Sequence, residues 1–388
     1  MSKKGIMEIN IEELSLEEKI GQMLIIGMDT NYITDRIKNM IQKYKIGGII
    51  LYRKNFKSYD SMVKLINELK ELNKNNKIPM FIAIDQEGGR VNRMPKELKN
   101  LPAANKVANK KDIELVKNTA QITAKILYES GFNMNFAPVM DIKRFSENHV
   151  VGDRAFGENK DDVSKYAIEY MKQLQQNNII SVIKHFPGHG ATKKDSHFSL
   201  PIINKKISEL QNDDMIPFKN AIDEGADAIL IGHLVIKNVT GIYPASLSRK
   251  FIYKYLRKGY RYNKVIVTDD LKMRAIRLIY GPRFAFKKAF EAGNDIIVFR
   301  YNQKEEEKCY LQIVNMVKEN KINISYKIVK IDFSRPNDKK EKIISLMKNG
   351  NMAIIHIGPS EESPLSFSKN GHYLVISDID ENDNFYVI

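Results

Sequence analysis

The chain has 388 residues, a formal charge of +15 from 62 Lys and Arg against 47 Asp and Glu, one cysteine and no tryptophan. That length fits two or three domains or one large barrel with an appendage, and a 43% apolar fraction supplies a large core, which argues against a disordered chain. The single Cys309 excludes an internal disulfide and a multi-cysteine zinc site.

Short β-branched runs alternate with longer amphipathic stretches. In chain order the runs at 23–28, 46–52, 80–85, 133–141, 179–186, 228–233, 265–270 and 295–299 are mostly apolar on both faces, as strands of a parallel sheet must be. Between them, 33–44, 59–73, 112–130, 161–177, 207–224, 271–292 and 305–320 carry apolar residues at helical spacing, with Asp161 and Ser208 placed as N-caps. This alternation predicts an α/β fold, a (β/α)8 TIM barrel occupying residues 1–335. Neither a GxGxxG nor a GxxxxGK[ST] follows the first strand, which weighs against the nucleotide-binding folds. The charged run DFSRPNDKKEK then reads as a linker, and 336–388 as a short β-rich appendage of two or three strands.

The amino terminus lacks an apolar stretch of signal-peptide length, and no run reaches the roughly 18 apolar residues of a membrane span. The lysines are scattered rather than gathered in a stripe. A soluble, cytoplasmic protein is expected, without a nucleic-acid or membrane partner.

Polar residues collect where strands end. Asp85, Asp141, His185, His233 and Asp269 all lie at or near the carboxyl end of a predicted strand, and in a barrel those ends converge on the face that carries active sites. The densest segment is KHFPGHGATKKDSH (184–197), which leaves a strand through a Gly/Pro loop. Asp195 and His197 are two apart, close enough for the carboxylate to orient the imidazole as a general acid/base. His185-x3-His189 leaves a metal reading open, although nothing holds the two rings on one helical face. In VTDDLKM (267–273) one carboxylate can face the barrel mouth as a nucleophile while the other caps the following helix, or both can be caps. DQEGGRVNR (85–93) turns through two glycines and offers carboxylates and guanidinium groups to a polyhydroxylated ligand. GDRAFGEN (152–159) presents a further arginine.

Together with GFNMNFAPVMDI (131–142), and in this order, these segments resemble the family 3 glycoside hydrolases, most closely the single-domain bacterial β-N-acetylhexosaminidase branch, over about residues 10–320. The resemblance implies a (β/α)8 barrel with no metal or other cofactor. It also implies hydrolysis, with retention, of terminal β-linked N-acetylglucosamine on muropeptide-derived or other cell-wall sugars. Carried over by match, Asp269 would be the nucleophile, and His197 the acid/base oriented by Asp195. Asp85, Arg93, Arg154, Lys184 and His185 would bind the small carbohydrate substrate, with His233 and Met273 lining the pocket. Retaining glycosidases ordinarily use two carboxylates. An imidazole acid is neutral after giving up its proton and repels an incoming anion less, so a phosphorylase is an alternative. A catalytically impaired sugar-binding barrel is another.

The carboxyl-terminal end departs from that pattern. The last segment resembles the histidine-bearing part of papain-like peptidases of the bacteriocin-processing kind, through Gly371-His372-Tyr373. Such enzymes need a cysteine nucleophile in their own domain, whereas Cys309 falls in the helix expected after the last barrel strand, so a fused remnant without peptidase activity is expected.

Overall fold

A computed structural model describes residues 13–192 and 200–319, together with the backbone of three later strands. The strands are β1 (Leu24–Gly27), β2 (Gly48–Leu51), β3 (Phe81–Ile84), β4 (Met134–Asn135), β5 (Ile180–Phe186), β6 (Ile202–Ile203), β7 (Ala228–Ile231), β8 (Val235–Ile236), β9 (Val265–Thr268), β10 (Ile297–Val298), β11 (Tyr326–Ile331), β12 (Met352–Ile357) and β13 (His372–Ile376). Eight of them form one parallel sheet in the order β10-β1-β2-β3-β4-β5-β7-β9. Its two ends meet: Thr268 N–H donates to Ile296 C=O at 2.9 Å, and Ile296 N–H to Ile266 C=O at 3.0 Å. The sheet is therefore a closed (β/α)8 barrel.

The strand sequences read as continuous apolar runs because both faces are buried. Ile25, Ile50, Phe81, Ala83, Met134, Val182, Leu230, Val267 and Val298 fill the inside of the barrel. Their neighbours Ile26, Ile49, Ile82, Ile183, Ile229, Ile266 and Ile297 belong to the larger core under the helices. The two sets alternate along each strand, as successive side chains of a strand must. Ser15, Thr34, Ser58, Asp112, Asn159 and Asn302 each accept a backbone N–H at the start of a helix.

Four expectations about elements are corrected. The 133–141 run holds only a two-residue strand: Asn133 and Asn135 pair with the neighbouring segment through their side-chain amides, and Pro138 has no N–H to give a ladder. The helix over 207–224 is two helices, Ile207–Asn212 and Ile216–Asp223, with Pro217 opening the second. The helix over 271–292 is also two, Arg274–Tyr280 and Pro282–Glu291, because Gly281 takes a positive φ of 71° ahead of Pro282. Asn159, not Asp161, caps Lys160–Gln176, and Ser208 lies inside the first turn of its helix.

After the helix Gln303–Lys318, β11 pairs in parallel with β12, and β12 antiparallel with β13. This small sheet takes its first strand from before residue 335. Among the described residues no helix is long and apolar enough to cross a membrane.

Candidate active site

Five of the eight barrel strands deliver polar side chains to one cavity of about 240 Å3 at their carboxyl ends. Asp85, Glu87, Arg90 and Arg93 come from the segment after β3, Arg154 from the long loop after β4, and Lys184 and His185 from β5 itself. Asp269, Asp270 and Met273 follow β9, and Tyr52 follows β2. The turn after β3 needs its glycines: Gly88 and Gly89 have φ of 88° and 55°, and a Cβ on Gly88 would stand 2.7 Å from the Pro102 carbonyl oxygen.

The floor is a charge network. Lys184 Nζ donates to Asp85 Oδ1 at 2.7 Å and to Glu87 Oε1 at 2.6 Å. Arg154 grips Glu87 with both arms of its fork, at 2.7 Å each. Burial by itself would push the Glu87 carboxyl up, but Arg154 and Lys184 outweigh it and hold the group well below the usual carboxylate range. Arg154 Nη1 and Arg90 Nη2 both donate to the Val150 carbonyl, at 2.8 and 3.0 Å, so the loop is wrapped around two guanidinium groups. Arg90 also pairs with Asp153. Arg93 lies 5.9 Å from the Tyr52 ring centroid, and its buried Nε has no hydrogen-bond partner among the described residues.

His185 Nδ1 lies 2.7 Å from Asp141 Oδ2, and Asp141 Oδ1 accepts the His189 N–H at 2.6 Å. Burial would raise the Asp141 pKa, yet the adjacent His185 and His189 bring it below its ordinary value. Burial, then the neighbouring His185, pulls His189 down to about 4. Among the described residues, no three His, Cys, Asp or Glu side chains form a group that could hold a metal ion.

Asp269 Oδ1 accepts the N–H of Asp270 at 2.8 Å, and Asp270 Oδ1 accepts the N–H of Lys272 at 2.9 Å. Of the adjacent carboxylates, both line the cavity, and the second also caps the turn that follows. Burial pushes Asp270 up to about 6, opposed by Arg300, whose Nε is 3.4 Å from Asp270 Oδ2. The Arg300 guanidinium lies 4.7 Å from the Tyr52 ring centroid, and its Cδ occupies the space a Cβ on Gly27 would need, 2.4 Å away.

Of the residues singled out in the sequence, Asp85, Arg93, Arg154, Lys184, His185, Asp269 and Met273 share the cavity wall. His233 does not. It is buried behind the wall, with Nδ1 2.7 Å from Ser246 Oγ and Nε2 3.2 Å from the Asp270 carbonyl, so it supports the backbone at Asp270 instead of lining the pocket. Asp195 and His197 lie outside the described residues. Glu87 and Asp141 were visible as carboxylates near strand ends but carried no assigned role. Arg90, one of the guanidinium groups of the 85–93 segment, also stands at the mouth with Tyr52, His149 and Arg300, which only the folded geometry singles out.

The description "Glycosyl hydrolase family 3 N terminal domain" matches residues 15–332. The chain belongs to glycosyl hydrolase family 3. A beta-hexosaminidase of Xylella fastidiosa is 30% identical over 299 residues, covering 76% of this chain and 85% of its own length. Beta-hexosaminidase A of Pseudoalteromonas piscicida is 32% identical over 312 residues, and this chain spans 52% of it. Among solved structures, a family 3 beta-N-acetylglucosaminidase from a Paenibacillus species superposes with a TM-score of 0.77 at 32% identity, covering 80% of this chain and 59% of that one. A family 3 member from Mycobacterium smegmatis gives a TM-score of 0.74 at 26% identity, over 81% of this chain and 94% of that one. The chain is thus a glycoside hydrolase of family 3 by sequence as well as by fold. Cys309 is fully buried in the helix Gln303–Lys318, and burial pushes its thiol up to about 12, so it offers no accessible thiolate.

Proposed function

We propose that the protein is a retaining exo-β-N-acetylglucosaminidase acting on cell-wall sugars released as muropeptides. One observation carries this reading: Asp269 lies on the wall of the same cavity as Asp85, Arg93, Arg154, Lys184 and His185. In the proposed mechanism Asp269 attacks the anomeric carbon, and the bond to the leaving oxygen breaks as His197 gives that oxygen its proton. The resulting glycosyl-enzyme ester is opened by water, whose proton returns to His197. Asp195 orients the imidazole. Asp85 and Lys184, already paired, bind ring hydroxyls, joined by Arg93, Arg154 and His185, while Met273 gives the pocket an apolar side. A cavity of about 240 Å3 suits one sugar ring, which supports removal of single terminal residues.

The proposal includes a division of the chain in which residues 1–335 form the barrel domain that does the chemistry and 336–388 an appendage, whose strands β12 and β13 pair with β11 of the first part.

Release of p-nitrophenol from p-nitrophenyl N-acetyl-β-glucosaminide tests the function. Asp269→Ala is expected to lose at least about 1000-fold in kcat/KM, and a 5-fluoro sugar should label Asp269 covalently. Binding of N-acetylglucosamine without turnover would identify an inert sugar-binding barrel. Formation of sugar 1-phosphate in phosphate buffer would identify a phosphorylase.

A further inference from the structure

The stretch that carries Asp195 and His197 leaves β5 through Pro187–Thr192. Its stem is held from two sides by the loop after β4. On one side Asp141 accepts the His189 N–H, and Gly190 packs so closely that a Cβ there would sit 1.9 Å from the Ile142 carbonyl oxygen. On the other side is Asn148, which is 2% exposed. Its Nδ2 donates to the carbonyls of His189 at 2.9 Å and Thr192 at 2.7 Å, and its Oδ1 accepts the Val151 N–H at 3.1 Å. Both amide protons and the amide oxygen are thus committed. The Val151 bond continues into the loop that Arg90 and Arg154 wrap, so one side chain joins the stem of the acid-bearing stretch to the segment presenting Arg154.

We propose that Asn148 is a positioning residue for proton transfer: it fixes the stem ending at Thr192, from which the chain continues to the acid. This rests on the reading of His197 as the acid. General acid catalysis needs the donor within hydrogen-bond reach of the leaving oxygen, and a displacement of about 1 Å costs about 100-fold. Only an amide fits all three bonds. A carboxylate of the same shape accepts from Val151 but turns its second oxygen, an acceptor, toward two carbonyl oxygens.

The test compares kcat/KM, which reports the bond-breaking step, for two N-acetyl-β-glucosaminides: the methyl glycoside, whose leaving group needs a proton, and the 2,4-dinitrophenyl glycoside, whose leaving group does not. Asn148→Asp in the full chain is expected to lose about 100-fold on the first and less than about threefold on the second. Asn148→Ser, which keeps one donor, should fall between. The readout is the ratio of kcat/KM on the two substrates, in which a lowered folded fraction cancels. Azide, a nucleophile needing no base, should restore kcat on the dinitrophenyl glycoside. Equal loss on both substrates, or no loss in either variant while His197→Ala shows the selective loss, overturns the proposal. Should His197→Ala itself lose equally on both substrates, the assignment of the acid fails, and the role of Asn148 in proton transfer falls with it.

Discussion

At the scale of single residues, the mouth of the barrel separates its carboxyl groups by what surrounds each. Glu87 is more buried than Asp270 yet is held ionised by Arg154 and Lys184. Asp270, facing one guanidinium at 3.4 Å and the charge of Asp269 beside it, is pushed up to about 6 by burial. The sign of the consequence follows from linkage. The folded chain keeps a proton on Asp270 where the unfolded chain, with an ordinary value of 3.8, has released it, so this residue makes stability fall as the pH rises from about 4 to about 6. Chemical denaturation of wild type and Asp270→Asn across that window should show the fall reduced in the variant; parallel curves would refute the assignment. Residue types at these positions were legible in the sequence, because an Asp or His closing an apolar run stands out. Their pairings were not: nothing in the spacing of residues 87, 154 and 184 says that one carboxylate takes three hydrogen bonds from two cations. His233 shows the same gap, since a histidine two residues past a strand end can face the cavity or its back.

At the scale of elements, the eight strand positions and the first helices could be read from apolar period, because both faces of every strand are buried. Where that reading failed, polar side chains or special backbones had taken over. Asn133 and Asn135 do by side chain what a longer β4 would do by backbone. Gly281 with Pro282, and Pro217 beyond the Asp213–Asp214 pair, interrupt helices whose apolar period runs straight through. Asp214 is drawn away to Arg144 and Lys205. The stem after β5 is the clearest case. Its sequence reads only as a Gly/Pro loop, but Gly190 lies against the Ile142 carbonyl. Gly190→Ala must push backbone against backbone, and we expect it to cost about 2 kcal/mol of stability in denaturant unfolding. An unchanged midpoint would show that the stem is looser than its contacts imply.

At the scale of the molecule, closure depends on contacts between the first and last segments of the barrel. β10 pairs with β1, and the Tyr310 hydroxyl donates to the Glu17 carbonyl across 293 positions of chain. Cys309, in the same helix, packs into the core shared by these ends. Its thiol should therefore report global opening: a thiol reagent should leave the native protein unlabelled and react at a rate that follows unfolding as denaturant is raised. Fast labelling of the native chain would mean that the last helix detaches by itself.

The contact between Gly27 and Arg300 has a consequence for descent. The arginine just past β10 can lie over Tyr52 and reach Asp270 only because β1 ends without a side chain. The two positions are interlocked, so a lineage that acquires even a methyl group at 27 must relocate or surrender the guanidinium at 300, and with it the cation that tempers the second carboxylate. Drift at one site is therefore policed by the other, nearly the whole barrel away in sequence.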